Sequence, residues 1–278
     1  MRNACQWRPV VFDPHAYFVA LGVLLAAAFG AWLVSLALRN VNVVDSLWGV
    51  MLAASAACYA LLVPSASTRA ILTLVLVTAW AARLCAHITW RNWGEPEDHR
   101  YRAIRRNNEP FAWKSLYVVF GLQAVLAWLI SLSLLAAIAG SAPLGALDGA
   151  GVLLWLVGFS FETVADAQLA RFKASPGNAG RVLDRGLWRY TRHPNYFGEF
   201  CIWWGFYGFA VAAGGWWALV SPLLMSVLLL RVSGVTLLEQ TIRERRPAYA
   251  EYVRRTSAFF PWPRRKPAVV RAQIDVES

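Results

Sequence analysis

The chain has 278 residues, of which 58% are hydrophobic and 15% charged, and 27 Lys and Arg against 16 Asp and Glu give it a net charge of +11. A soluble domain is usually nearer a quarter charged, so this composition excludes an ordinary soluble enzyme and implies an all-helical integral membrane protein. The apolar runs are continuous rather than alternating, which argues against a β-barrel. The positive charge is better explained by loops on one side of a membrane than by nucleic acid.

Met1 to Pro14 is polar, and no cleavable signal peptide is evident ahead of the first apolar run. Runs of about 20 mostly apolar residues predict seven transmembrane helices, at roughly 16–38, 43–63, 70–90, 115–139, 150–170, 198–213 and 216–235. Gly214–Gly215 leaves almost no room between the last two, as in a tight helical hairpin. A six-span arrangement stays open.

The connection after the third run carries Arg91, Arg100, Arg102, Arg105, Arg106 and Lys114. The one after the fifth carries Arg171, Lys173, Arg181, Arg185, Arg189 and Arg192, whereas 140–149 has no Lys or Arg. The positive-inside rule places both basic loops and the C-terminal segment in the cytoplasm. Past Gly234 charged and apolar residues mix, which predicts a C-terminal amphipathic helix or two on that face. From about Arg264 the chain reads as a disordered tail, so residues 1–263 are expected to form a single membrane-embedded domain.

Four cysteines, Cys5, Cys58, Cys85 and Cys201, have no metal-ligand spacing and read as reduced small hydrophobes. Asp45 opens the second span. A carboxylate there either marks a function or caps its helix. His87 reads first as a satisfied bundle histidine. Glu97, Asp98, Arg100 and Tyr101 read either as a salt-bridged loop or, with Arg102, as a surface reaching a ligand.

The densest polar stretch is 186–199, GLWRYTRHPNYFGE, followed at once by an apolar run. Polar groups are not gathered beside lipid without a ligand or an internal network to satisfy them. Upstream, Ser175, Pro176, Gly177, Asn178 and Gly180 form a turn-rich loop whose flanking cations suit phosphate or carboxylate oxygens.

VDSLWG at 44–49, GEPEDHRY at 94–101, LWRYTRHPNYFGE at 187–199 and the tail from Leu237 to Trp262 follow one another in an order that resembles the steroid 5α-reductase-like C-terminal superfamily. The resemblance covers most of the chain and is nearest to the bacterial DUF1295 group. Steroid 5α-reductases and sterol C14 reductases are related, and isoprenylcysteine carboxyl methyltransferases more distantly. It implies a helical bundle with a cavity open to the bilayer and a cytoplasmic cofactor site, in a bacterial inner membrane. Reductases of the superfamily bind NADPH and the methyltransferases bind S-adenosylmethionine. Asn195, Tyr196, Gly198 and Glu199 match the reductase pattern, and the positive charge suits anionic NADPH better than a sulfonium.

By that resemblance the cofactor residues are Asp166, Lys173, Arg181, Arg185, Tyr190, Arg192, His193, Asn195, Tyr196, Glu199, Arg231, Glu239, Tyr249, Tyr252, Arg254 and Arg255. Asn195 and Glu199 serve the nicotinamide and ribose, Arg181 and Arg185 the phosphates, and Arg231 points at cofactor or at Glu239. Steroid 5α-reductases polarise the substrate ketone with a Glu–Tyr pair. The tyrosine's place falls near Ile88 here, so Asp45 with His87, Arg91 or Tyr101 is the expected substitute. The implied activity is NADPH-dependent reduction of an activated carbon–carbon double bond in a lipophilic, steroid-like or isoprenoid substrate entering from the bilayer. The alternatives are an S-adenosylmethionine-dependent lipid or prenyl-thiol methyltransferase and a non-catalytic sterol- or lipid-binding protein.

Overall fold

A computed structural model describes residues 12–64, 67–232 and 248–264. Among these the structure is helical, with a single isolated bridge between Thr191 and Ser257. The chain divides into two compact units, Met1–Phe159 with Phe200–Val227, and Ser160–Glu199 with Leu228–Ser278. Each is described by itself.

In the first unit, α1 (Pro14–Leu38) starts where Asp13 accepts a hydrogen bond from Ala16 N at 3.0 Å, with Pro14 as its first residue. It ends on Arg39 in the left-handed region, φ 51°, where the amide bonds back to Leu36 O. Ser67 caps α3 (Thr68–Asn92) through Ala70 N at 3.1 Å. Helix α2 (Val43–Leu62) has no side-chain cap of its own, because Asn42 is engaged elsewhere. The charged α4 (His99–Asn107) follows, and then α5 (Phe111–Ala139), which contains a π-helical turn at Leu116–Gly121.

Buried polar contacts fasten these helices. Trp32 Nε1 donates to Ala112 O at 2.8 Å, Trp128 Nε1 to Tyr17 O at 2.8 Å, and the hydroxyls of Tyr59 and Ser131 lie 2.6 Å apart. Arg69 and Asp148, both nearly inaccessible, form a two-pronged ion pair at 2.7 and 2.9 Å, and Arg69 also bonds to Ala142 O and Pro143 O. Outside, Phe18, Ile71, Val75 and Leu153 are exposed, the inverse of a soluble surface. This is an all-α integral membrane protein.

Among the described residues five helices are long and apolar enough to cross a membrane: Pro14–Leu38, Val43–Leu62, Thr68–Asn92, Phe111–Ala139 and α6 (Ala146–Ala174). The expected count of seven is not confirmed. Helix α7 (Pro194–Ala212) is not among them, and α8 (Trp216–Arg231) is a shorter apolar helix. The tight turn between these two is present. Gly214 takes φ 89°, and the amides of Gly214 and Gly215 bond to Val211 O and Ala210 O at 2.8 Å. Within the first unit α6 and α7 approach so closely that a Cβ on Gly205 meets Gly151 O at 2.8 Å.

The second unit holds the C-terminal parts of α6 and α8, the start of α7, short 3-10 turns at Pro176–Asn178 and Gly186–Arg189, and α9 (Ala248–Arg255). Helix α9 carries the expected amphipathic pattern, with Tyr249 and Tyr252 buried and Arg254 exposed. Arg264, taken above as the start of a disordered tail, is fastened by bonds to Asp184 O and Oδ2 at 2.6 and 2.8 Å. Residues 265–278 lie outside the described part, as does Cys5.

Candidate functional site

Each unit assembles one polar cluster. In the first, the loops before α2 and before α4 are locked together. Asn42 Oδ1 accepts from Asp98 N at 2.9 Å and its Nδ2 donates to Pro96 O at 3.2 Å. Glu97 accepts from Val41 N at 3.2 Å and from Arg105 at 2.7 and 3.0 Å. Asp98 caps α4 through Arg100 N at 2.9 Å and also accepts from Arg100 Nε at 3.1 Å. Burial opposes its ionisation, but these bonds and the charge of Arg100 outweigh it and hold the carboxyl below the usual carboxylate range.

That lock sets Tyr101, in the first turn of α4, against Asp45, in the first turn of α2. The Tyr101 hydroxyl donates to Asp45 Oδ1, Arg100 Nη2 reaches Asp45 Oδ2 at 3.4 Å, and Gln123 Nε2 lies 3.4 Å from the phenol oxygen. Burial first, and then the adjacent carboxylate, push the Tyr101 phenol well above its ordinary pKa, so it stays a neutral donor. An uncharged phenol with a guanidinium nearby can stabilise a carbonyl oxygen that gains negative charge once its single O–H turns from the carboxylate to that oxygen.

The other candidate partners of Asp45 sit differently. Arg91 is exposed and donates to Asn92 Oδ1 at 3.2 Å, although its charge still acts on Asp45. His87 is half-buried, with its ring 6.2 Å from that of Trp90. The 94–107 segment is thus a salt-bridged loop and helix that delivers Tyr101. Arg100 as a second partner of Asp45, and Gln123 behind it, carried no signal in the sequence.

In the second unit the 186–199 motif is held from both sides. Gly186 takes φ 62°, and a Cβ there would meet the Gln168 side chain at 2.5 Å, whose Oε1 accepts from Leu187 N at 3.0 Å. Arg192 is buried and donates from Nη1 to Val253 O and Thr256 O, at 3.1 and 2.6 Å, while its amide bonds to Ser257 O. Tyr252 donates its hydroxyl to Trp188 O at 2.5 Å, Thr191 Oγ1 to Phe259 O at 2.7 Å, and Trp262 N to Tyr190 O at 2.9 Å. Arg192 and Tyr252 therefore tie the motif to the tail. Thr191 and Gln168 belong to the same network, and sequence reasoning missed them.

Asn195 Nδ2 lies 3.3 Å from Asp166 Oδ1, which brings together two of the predicted cofactor residues. The His193 and Tyr196 rings are parallel with centroids 5.6 Å apart, and Glu199 lies half-buried further along α7. Lys173, Arg181 and Arg185 are exposed around the 3-10 turn at Pro176–Asn178, and Tyr190 is also exposed. Tyr249 is buried with its ring 5.7 Å from Tyr252, whereas Arg254 and Arg255 both pair with Glu251 of their own helix. Arg231 is exposed at the end of α8, and Glu239, its expected partner, lies outside the described residues. No group of three or more metal-ligating side chains occurs among the described residues.

The sequence model of a family described as Protein of unknown function (DUF1295) matches residues 31–256. An uncharacterized protein of Schizosaccharomyces pombe is 28% identical over 280 aligned residues, which cover 87% of this chain and 79% of that one. No solved structure matches. The span of the family match includes the first three motifs and the tail as far as residue 256, with Asp45, Tyr101 and the polar stretch at 186–199 inside it, and the chain belongs to the DUF1295 family.

Proposed function

We propose that the protein is an NADPH-dependent reductase of an activated carbon–carbon double bond in a lipophilic, steroid-like or isoprenoid carbonyl compound. The observation that carries this is the Asp45–Tyr101 pair, a phenol and a carboxylate in direct hydrogen bond with Arg100 beside them. It supplies the acid–phenol couple that the chain's departure near Ile88 had left without a counterpart.

The residues of the second unit suit a dinucleotide. The Asn195 amide beside the Asp166 carboxylate offers donor and acceptor to a carboxamide and to ribose hydroxyls, while exposed Lys173, Arg181 and Arg185 suit phosphate. When bound, NADPH supplies a hydride from C4 of its nicotinamide to the β-carbon of the substrate. A phenol has one O–H, so Tyr101 turns it from Asp45 Oδ1 to the carbonyl oxygen as the enolate develops, with Gln123 beside the phenol oxygen and Arg100 remaining as the partner of Asp45. A proton from solvent delivered to the α-carbon completes the addition of two hydrogens and regenerates the carbonyl.

The full-length protein in detergent is melted with NADPH and, separately, with S-adenosylmethionine. NADPH is expected to stabilise it and S-adenosylmethionine is not. Asn195→Ala removes a hydrogen-bonding group worth about 1 kcal/mol, so NADPH affinity falls about fivefold to tenfold. Stabilisation by S-adenosylmethionine alone would replace this function with methyl transfer, and stabilisation by neither ligand would favour a lipid-binding protein.

A further inference from the structure

A groove of about 690 Å³ runs between α2 and α3, within the usual size of a small-molecule site, about 300–1,000 Å³. Val50 and Ala53 form one wall, and Thr78, Ala82, Cys85 and Ala86 form much of the other. Both helices are among the five able to cross a membrane, and Val50, Ala82 and Ala86 are exposed, so the groove opens to the hydrocarbon of the bilayer. The α3 lining falls on one helical stripe from Thr78 to Trp93. At 1.5 Å per residue that is about 22 Å, most of a hydrocarbon core about 30 Å thick.

One end is polar. Thr89 Oγ1 donates to Ser46 Oγ at 3.0 Å, and Ser46 is the neighbour of Asp45. Trp90 and Trp93 are 66% and 81% exposed at this end, as aromatic side chains are at a headgroup boundary, and the exposed Arg91 lies between them. The groove is therefore long, apolar along its length, and finished by an aromatic and hydroxyl-bearing rim at the end of α2 that carries the Asp45–Tyr101 pair. A sterol ring system is shorter than this stripe, whereas an extended hydrocarbon chain fits its length. The rim favours a polar head.

We infer that this groove seats the hydrocarbon chain of a linear amphiphile, with its polar end toward Thr89, Trp90 and Trp93. Resting on the reductase function proposed above, this makes the substrate a chain lipid, acyl or linear isoprenoid, with its conjugated carbonyl at the polar end, rather than a sterol.

The test uses the full-length protein in detergent and two fluorescent probes excited by transfer from tryptophan: cis-parinaric acid, a linear fatty acid, and dehydroergosterol, a sterol. Saturable binding of parinaric acid at least tenfold tighter than that of dehydroergosterol is expected. The double substitution Ala82→Phe/Ala86→Phe places aromatic rings at exposed positions in the groove and should weaken parinaric acid at least tenfold. Ile71→Phe, equally lipid-facing on α3 but outside the groove, should leave it unchanged. Equal or tighter sterol binding, non-saturable partition, or wild-type affinity in the double variant overturns the inference. NADPH melting is measured on the same samples. Lost NADPH stabilisation with intact chain selectivity sinks the reductase and leaves the chain seat standing; retained stabilisation without chain selectivity does the opposite.

Discussion

Breaking the Asp45–Tyr101 pair from each side and then from both tests whether the two residues act as one. Tyr101→Phe keeps the ring that fills a nearly inaccessible position and removes only the hydroxyl. A hydrogen bond to a charged group is worth about 1.5–3 kcal/mol, and because Asp45 keeps Arg100 at 3.4 Å the loss belongs near the lower half, about 2 kcal/mol. Asp45→Asn still accepts from the phenol but without charge assistance, which costs about 1 kcal/mol, and the partly exposed contact to Arg100 adds about 0.5 kcal/mol. If both substitutions act on one shared bond, the double variant loses about 2.5 kcal/mol, that bond and the Arg100 contact, rather than about 3.5, a coupling of about 1 kcal/mol. Unfolding in mixed micelles with rising dodecyl sulfate, followed by circular dichroism, measures all four proteins. Additivity within about 0.5 kcal/mol would falsify the pairing and remove the basis for the carbonyl-activating role. Tyr101→Phe is also expected to cut turnover about 100-fold with NADPH stabilisation intact, as loss of an oxyanion donor does.

Arg69→Met strands the buried Asp148 carboxylate and should cost about 3–5 kcal/mol in the same titration, with Arg69→Met/Asp148→Leu recovering a substantial part; equal losses for both would contradict the pairing. Arg192→Ala releases the carbonyls of Val253 and Thr256, so tryptic cleavage at Arg254 and Arg255 should accelerate at least tenfold, and Arg192→Lys should give an intermediate rate. Unchanged cleavage in the alanine variant would dissociate the motif from the tail. Tyr101 and Tyr252 are both pushed above the ordinary tyrosine pKa, in each case first by burial. Stability from such groups is fully present below about pH 10 and lost as pH rises through their folded values. Melting temperature should accordingly decline above about pH 10 less steeply in Tyr101→Phe than in wild type, and parallel profiles would count against a buried neutral phenol.

The membrane-spanning helices were legible because apolar length is a local property. The second helix was expected at 43–63 and runs Val43–Leu62. The misplaced ends have local causes. Helix α1 begins at a cap, Asp13–Pro14, ahead of its apolar run, and α6 begins at Ala146 because Asp148, which interrupts the hydropathy, is neutralised by Arg69. Helix α4 was invisible, since nine residues rich in arginine show no apolar stripe and its one buried member is Tyr101. The last two expected spans share the glycine turn that was expected between them, but neither α7 nor the described part of α8 is among the five helices long and apolar enough to cross.

The candidate sites were legible as residue types and illegible as pairings. Asp45 had three possible partners, and the choice among them depends on how the loop at 93–98 folds. That loop is fixed by Glu97, legible only as a member of a salt-bridged cluster, and by Asn42, which carried no signal in the sequence. The same holds within the 186–199 motif, whose polar density has two separate causes. Thr191, Arg192 and the Trp188 carbonyl satisfy the tail and Tyr252, so their chemistry is internal. Asn195 bonds Asp166 within the same unit, and Lys173, Arg181 and Arg185 of the preceding loop are exposed. A motif read as one ligand-binding wall is thus in part a clasp on the tail, and substitution separates that role from the proposed cofactor contacts. Changes at Arg192 should act through the tail and through stability, whereas changes at Asn195 should act on cofactor affinity while leaving the tail protected.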